Sequence, residues 1–389
     1  MKILIVNRAL GTLFGGGESF DYNAALHLAN SGHEVTLITG KPLWGEARNS
    51  FSNLKVIYVA TPDLRRFAYA TEKINTKLTA AFYHLDNALF ERAVLRWFAT
   101  LAQNTFDIVQ CCSLFGLPQK LLSRYKQPVI SWLPGPPSGR VRTRLPQLVV
   151  TPLFGLFTHG SPEWSLLEMG FMPGQEFEII EPGIDLSAID SMTPDRCVLR
   201  KQLGIGLDDL LGITTARLVP VKNHHLLLKG IAAARGQGVI WHWMFVGDGP
   251  LDAELKRTAK ELGISSQIHF LGHQNQQQVH TWLAIADIFA LTSSYESFSI
   301  ATLEAMAHRL PVIGTDVGYL QVLITEAKAG RVVPSLVSAP LAATLVELAE
   351  AANRSGYGQA GRQFVQRLDW PNIAKRLETF YRKVIKGRA

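Results

Sequence analysis

The run Ile288-Phe289-Ala290-Leu291-Thr292-Ser293-Ser294-Tyr295-Glu296-Ser297-Phe298-Ser299-Ile300-Ala301-Thr302-Leu303-Glu304-Ala305-Met306-Ala307-His308-Arg309-Leu310-Pro311-Val312-Ile313 decides how the chain folds. Its bulky apolar start, Ile288 to Leu291, reads as a buried strand, and Ser293 to Ser299 as a polar loop. Ile300 to Arg309 reads as a helix that stops before Pro311, and Val312-Ile313-Gly314 as the next strand. Ser297 and Ser299 can cap that helix, leaving its first backbone N–H groups to face an anion, with roughly half a positive charge behind them. Such an end is a phosphate seat. Glu296 stands just ahead of it and Glu304 about one turn inside, so both carboxylates can point toward one bound molecule. A carboxylate beside a phosphate has work to do if it accepts hydrogen bonds from hydroxyls, which sugars offer. Taken alone, Glu296 reads equally well as a surface loop residue and Glu304 as a helix acid that complements the dipole.

The neighbouring stretches repeat the same design. Strand Leu211 to Thr215 runs into Ala216-Arg217-Leu218-Val219-Pro220-Val221-Lys222 and then a helix from Leu226 to Ala234. Two cations, Arg217 and Lys222, in one strand-to-helix loop can both reach a diphosphate, although isolated charges in such loops are ordinary surface residues. Trp241 to Val246 is a further strand before the glycine turn Gly247-Asp248-Gly249-Pro250, and Ile268 to Leu271 another before Gly272-His273. His280 and Trp282 fall on the following helix as packing and surface residues.

Two glutamates eight positions apart in S-Y-E-S-F-S-I-A-T-L-E-A-M-A, followed by P-V-I-G-T-D, resemble the signature of retaining GT-B glycosyltransferases, in particular glycosyltransferase family 4 (glycosyl transferases group 1). The resemblance implies two Rossmann-like doubly wound α/β domains facing across a cleft. It also implies an enzyme that moves a sugar from a nucleotide-diphosphate sugar, with retention and without a metal or other cofactor. In the family's R-L-x-x-x-K pattern, Arg217 and Lys222 clamp the pyrophosphate, and the loops at Gly247 and at Gly272 and His273 border the nucleotide. Glu296 is then the residue that binds sugar hydroxyls, beside the backbone of Phe298, Ser299 and Ile300, and Glu304 binds the ribose. Arg217, Lys222 and Glu296 are the implied catalytic residues.

The amino-terminal half opens with a strand, Ile3 to Val6, then Gly11 to Glu18, a helix from Phe20 to Asn30 ended by Gly32, and a second strand from His33 to Thr39. This is the start of a doubly wound domain, yet no G-x-G-x-x-G stands after strand one, which argues against a dinucleotide site. The glycines also read as plain turn residues. G-G-x-E before a helix and then G-H-E-V-T resembles the opening of the family's first domain, where Gly16 and Gly17 would contact the donor. Many members place a histidine before the glycine that ends the strand at Pro128 to Leu133, but this chain has Pro134. His159, after Gly155 to Thr158, is either a substitute or a loop histidine, and no catalytic histidine is carried over. A second departure is Val317-Gly318 with Gln321, where the family has two glycines and an acid.

Residues 64 to 103 read as a long helical stretch, with Arg65, Lys73, Arg92 and Arg96 among Phe67, Tyr83, Trp97 and Phe98. It is either core with a solvated face or a contact with an anionic membrane surface. Arg140, Arg142 and Arg144 suit an acidic acceptor or a solvated loop.

At 389 residues, 47% hydrophobic and 18% charged, the chain is an ordinary globular protein of two or more domains. The expected division is 1–187 for the acceptor side, 188–369 for the nucleotide-sugar side and 370–389 for a helix crossing back, with 186–209 a linker holding one short helix. A net charge of +7 favours anionic partners, but it is dispersed and no nucleic-acid module is present. Three cysteines, two of them adjacent, fit a reducing cytoplasm. No apolar run approaches the roughly 20 residues of a spanning helix, so membrane contact is expected to be peripheral. The expected acceptor is a saccharide, glycolipid or small molecule in surface polysaccharide or glycolipid assembly. The alternative is a catalytically silent nucleotide-sugar-binding partner of another transferase.

Overall fold

Short strands buried from end to end set the architecture. Ile3 to Val6 and Ile288 to Leu291 are fully buried runs without alternation, the mark of parallel strands covered on both faces. In a computed structural model, residues 1–10, 16–42, 54–62, 64, 76–102, 105–112, 114, 116–133, 152–154, 178–296 and 298–387 are described. They form two parallel sheets in two units, one holding the described residues up to Gly183 together with those from Trp370 onward, the other those of Ile184–Asp369.

In the first unit the strands are β1 (Lys2–Val6), β2 (Glu34–Pro42), β3 (Lys55–Thr61), β4 (Ile108–Cys112), β5 (Val129–Leu133), β6 (Pro152–Phe154) and β7 (Glu178–Ile179). Their order is β3-β2-β1-β4-β5-β6-β7, so the chain reverses direction across the sheet between β1 and β4. The register pairs Ile5 with Leu37 on one side and with Gln110 on the other. The first helix spans Gly16–Asn30, so Gly16 and Gly17 open the helix instead of lying in the loop before it. A first turn has no intrahelical partner for its N–H groups to satisfy, and glycine is cheaper there than in a helix interior. Within the stretch expected to be helical over 64–103, the helix Thr76–Phe98 is described, with Phe90, Val94 and Phe98 in the core, and 65–75 lie outside the described residues. Gly11 to Gly15, Pro134 to Gly139, Arg140, Arg142, Arg144 and His159 lie outside the described residues.

The terminal helix Trp370–Lys386 packs in this same unit against Gly16–Asn30. Trp370 stacks on His27 with ring centres 5.6 Å apart. A side chain at Gly183 would come within 2.5 Å of the Trp370 ring, so the close approach requires glycine.

The second unit repeats the plan with β8 (Leu210–Thr215), β9 (Trp241–Val246), β10 (Ile268–Gly272), β11 (Ile288–Leu291), β12 (Val312–Thr315) and β13 (Gly330–Val333), ordered β10-β9-β8-β11-β12-β13. Two of its buried polar side chains bond inside the sheet. Trp243 Nε1 donates to Thr214 Oγ1 at 3.0 Å, and that hydroxyl donates to the Ala290 carbonyl at 2.8 Å.

The stretch expected as a linker with one short helix is built differently. It forms two helices, Leu186–Asp190 and Arg196–Gln202, capped by the side chains of Asp185 and Asp195. Arg196 and Arg200 reach Asp287 at 2.6 and 2.7 Å, and the carboxylate also accepts from the Leu211 N–H at 2.9 Å. Arg200 is wholly buried and donates to the carbonyls of Gly206, Leu207 and Asp209 as well. A spread of small polar residues reads as linker in one dimension. Here two arginines, invisible as partners in the sequence, bind it to the foot of β11.

Candidate functional site

The candidate site lies within the second unit, at the carboxyl ends of its strands, where a parallel sheet leaves its crevice. β8 ends in Arg217 to Lys222, β9 in Gly247, β10 in Gly272 and His273, β11 in Ser293 to Ser299, and β12 in Asp316 to Gly318. The loops are pinned to one another through the backbone. The Leu218 N–H donates to the Asp248 carbonyl at 2.7 Å, and the Gly247 N–H to the Gly272 carbonyl at 2.8 Å. Gly247 has φ +137°, and a Cβ there would lie 2.1 Å from the Ala216 carbonyl oxygen, so only glycine lets the two loops touch.

Between these loops is a pocket of about 240 Å³. Thr215, Ala216, Gly247, His273, Gln276, Ile300 and Glu304 are among its lining residues. The structure therefore brings Gly247, His273, Ile300 and Glu304 around one space, and Gly272 meets Gly247 through the backbone. The helix Ile300–Ala307 points its amino end there, and Ile300 and Ala301 both line the pocket. Ser299 is its cap: its hydroxyl accepts from the Thr302 N–H at 3.2 Å and from Thr302 Oγ1 at 2.8 Å. Ser297, the other candidate cap, lies outside the described residues. The Phe298 ring stacks on Tyr319 at 5.7 Å.

Glu304 is buried, and burial lifts its carboxyl to about 7. Only the bond from Gln276 Nε2, at 2.5 Å to Oε1, works the other way. A titration point this far up marks a carboxyl group whose natural solvent has been removed.

Lys222 and Glu296 do not stand as separate groups. Lys222 Nζ lies 2.5 Å from Glu296 Oε2, which also accepts from Ser293 Oγ at 3.2 Å. Several bonds brace this pair. The Ser294 N–H donates to the Val221 carbonyl at 2.8 Å, Thr292 Oγ1 to the Asn223 carbonyl at 3.1 Å, and Thr315 Oγ1 to the Ser293 carbonyl at 2.6 Å. Gly318 sits against the Glu296 backbone, where a Cβ would meet the carbonyl oxygen at 1.8 Å, and its φ is +51°. The altered Val317-Gly318 segment thus keeps the one glycine that the Glu296 loop needs.

Arg217 is exposed, unlike Lys222, which is partly buried. The backbone carbonyl of Arg217 accepts from His224 Nε2 at 3.0 Å. Burial pushes His224 below its ordinary value, with Lys222 adding to the effect, so its ring is a neutral prop for the Arg217 loop. Gly16 and Gly17 belong to the first unit and open its first helix.

Sequence reasoning did not single out Gln276, Ser293, Thr292 or Thr315. A signal existed for Gln276: Asn275 and Gln278 form a capping box, which places Gln276 in the first turn of the helix Gln276–Leu283. That it would reach Glu304, 28 residues on, was not legible.

Comparison with known proteins bears on this same region. Residues 195–363 match the family model "Glycosyl transferases group 1". The D-inositol 3-phosphate glycosyltransferase of Mycobacteroides abscessus is 31% identical over 215 residues, which cover 54% of this chain and 46% of that protein. The chain spans about half the length of the curated relatives it matches. Sucrose-phosphate synthase of Thermosynechococcus elongatus superposes with a TM-score of 0.76 at 19% identity, covering 99% of both chains. Anabaena HepE, solved in complex with UDP and glucose, superposes with a TM-score of 0.71 at 19% identity over 98% of this chain and 100% of that one. The chain has the GT-B fold, and its residues 195–363 are similar to the glycosyl transferases group 1 family.

Proposed function

We propose that the protein is a retaining glycosyltransferase of family 4 that moves a sugar from a nucleotide-diphosphate sugar to an acceptor hydroxyl. The observation that carries this reading is the pocket itself, in which the open end of the helix Ile300–Ala307 and the buried Glu304 face one space at the strand ends. A helix N-terminus suits a diphosphate, and a buried carboxylate suits a ribose diol. The complex of Anabaena HepE with UDP and glucose supports a nucleotide sugar as the donor class.

In this reading Lys222 is held near the diphosphate by Glu296 and turns toward it when donor binds, joined by Arg217 and the Ile300 and Ala301 N–H groups. Positive groups that are already in place stabilise the charge that builds on the leaving diphosphate, a contribution of several kcal/mol in a site that excludes water. No metal ion is needed for that role. Glu296, released in part from Lys222, accepts hydroxyls of the sugar. Retention follows if the acceptor attacks on the face that the diphosphate leaves, passing its proton to the leaving phosphate oxygen. The acceptor is a saccharide or glycolipid of surface polysaccharide assembly, met at the inner face of the cytoplasmic membrane, and the net charge of +7 supports an anionic surface as partner. Among the described residues no helix is long and apolar enough to cross a membrane.

Thermal stabilisation by UDP, GDP and ADP and their hexose conjugates tests the reading, on wild type, Glu304→Ala and Lys222→Ala. One nucleotide family at about 100 times its Kd is expected to add about 2.7 kcal/mol, a rise of several degrees in Tm, and both substitutions to shrink it. A folded wild type that responds to none of them would overturn the proposal. Anomeric NMR of the product would then decide retention.

A further inference from the structure

Behind the pocket, two polar side chains of the helix Gln276–Leu283, Gln276 and His280, form a line with His308 beside the helix that carries Glu304. Gln276 Nε2 is 2.5 Å from Glu304 Oε1 and 3.1 Å from His280 Nε2. His280 Nδ1 is 3.1 Å from His308 Nε2, with the two rings 5.2 Å apart. His308 is the residue that ends the Glu304 helix, so the line leaves that helix at one turn and returns to it at the next.

With Glu304 ionised, the form that accepts hydroxyls, the hydrogens in this line have one consistent arrangement. An ionised carboxylate only accepts, so one Gln276 N–H goes to Glu304. The other N–H faces His280 Nε2, which must therefore accept, and this puts the ring proton on Nδ1. Nδ1–H then donates to His308 Nε2. Both imidazoles have to be neutral for the scheme to hold, and burial lowers both, His308 to about 3. The charged groups that face them are Asp185 toward His280, and Arg309 and Arg362 toward His308. Among the described residues, Gln276 is the single donor to Glu304, and it also lines the pocket.

We infer that Gln276, oriented by His280 and His308, is a positioning residue that fixes the Glu304 carboxylate so that its other oxygen takes the ribose hydroxyls of the donor. Gln276 thereby sets the preference for ribonucleotides over their dideoxy counterparts. The inference rests on the nucleotide-sugar reading of the pocket. Rotating the amide would turn its oxygen toward the carboxylate, so the histidine pair matters through the direction it imposes on Gln276 and not through contact with ligand.

Calorimetric titration with UDP, GDP and ADP and with their 2′,3′-dideoxy forms tests this on wild type, Gln276→Met and His280→Phe. For the ribonucleotide that binds wild type, Gln276→Met is expected to lose about tenfold in affinity, the scale of one hydrogen bond to a charged group, while the dideoxy form changes less than about twofold. His280→Phe should move the ratio in the same direction by about threefold, since it releases the amide without deleting it. In Gln276→Met the pH midpoint of ribonucleotide preference should also rise, because a bond that favoured the ionised carboxylate is gone. Should Gln276→Met fold poorly, Gln276→Glu keeps the shape and is expected to lose the preference through repulsion with Glu304. Equal losses for both nucleotide forms, or an unmoved midpoint, would overturn the inference and leave the donor site standing. A folded wild type that binds no nucleoside diphosphate would remove the donor site, and this inference with it.

Discussion

Asp21 in the first unit and Glu304 in the second are both buried carboxyl groups that burial lifts to about 7, and their surroundings differ. Asp21 is enclosed by donors. Asn7 Nδ2 and Gln110 Nε2 each reach it at 2.7 Å, and Gln110 in turn accepts from the Tyr381 hydroxyl at 2.7 Å. The network joins the first helix, β4 and the terminal helix Trp370–Lys386 at the centre of one core. Glu304 accepts from Gln276 and faces a pocket. A raised titration point therefore does not by itself identify a binding group. What distinguishes the two is whether the polar partners are complete within the protein or left for a ligand to supply.

Removing each carboxyl should break the molecule in a different place. Asp21→Ala leaves two amide donors without an acceptor in a closed core, and the expected cost is about 4 kcal/mol in urea unfolding. Nucleotide affinity should stay within about twofold of wild type under native conditions, since no pocket residue is touched. A variant as stable as wild type would show that Asp21 does not hold the terminal helix.

The pH dependence sharpens the contrast. A carboxyl raised in the folded state binds protons there that the unfolded chain releases, so stability is greatest below the ordinary carboxylate range and falls as pH rises through about 7. For each group this amounts to on the order of 3 kcal/mol, at about 1.4 kcal/mol per pH unit. Asp21→Asn and Glu304→Gln should each flatten part of that slope. For Glu304 alone, ligand affinity should run the opposite way, strengthening as pH rises through 7, because the ionised form is the hydroxyl acceptor. Parallel stability and affinity profiles at Glu304 would contradict its role in binding.

The smallest of these effects is expected at Gly318. Alanine there would press on the Glu296 carbonyl at a positive φ and displace the loop that holds Lys222. Misplacement of that kind is expected to lower turnover by roughly a hundredfold, about 2.7 kcal/mol in barrier terms, with nucleotide affinity changed less than about threefold. Equal losses in turnover and affinity would mean that Glu296 and Glu304 act as one unit.

Much of the candidate site was legible before folding because its parts are local. Arg217 and Lys222 follow one strand, and Glu296 and Glu304 bracket one loop and one helix turn, so spacing along the chain fixes their distances in space. The helix cap at Ser299 was legible for the same reason. The first helix was misjudged at its start, since Gly16 and Gly17 look like loop although a helix tolerates them at its first positions. The segment after Ile184 was read as linker because its composition is that of a linker, while its two arginines find their partner about 90 residues away.

Alone, then, the amino-acid sequence determined the two parallel sheets, the loops at their carboxyl ends and the residues those loops carry, because hydrophobic runs and turn residues act over a few positions. Tertiary structure alone decided that Lys222 and Glu296 form a pair, that Gln276 and two histidines stand behind Glu304, and that Tyr381 and Asp21 meet through Gln110. These contacts join residues 28 to 271 positions apart. Their formation depends on how helices pack across a finished sheet, for which no local spacing rule exists.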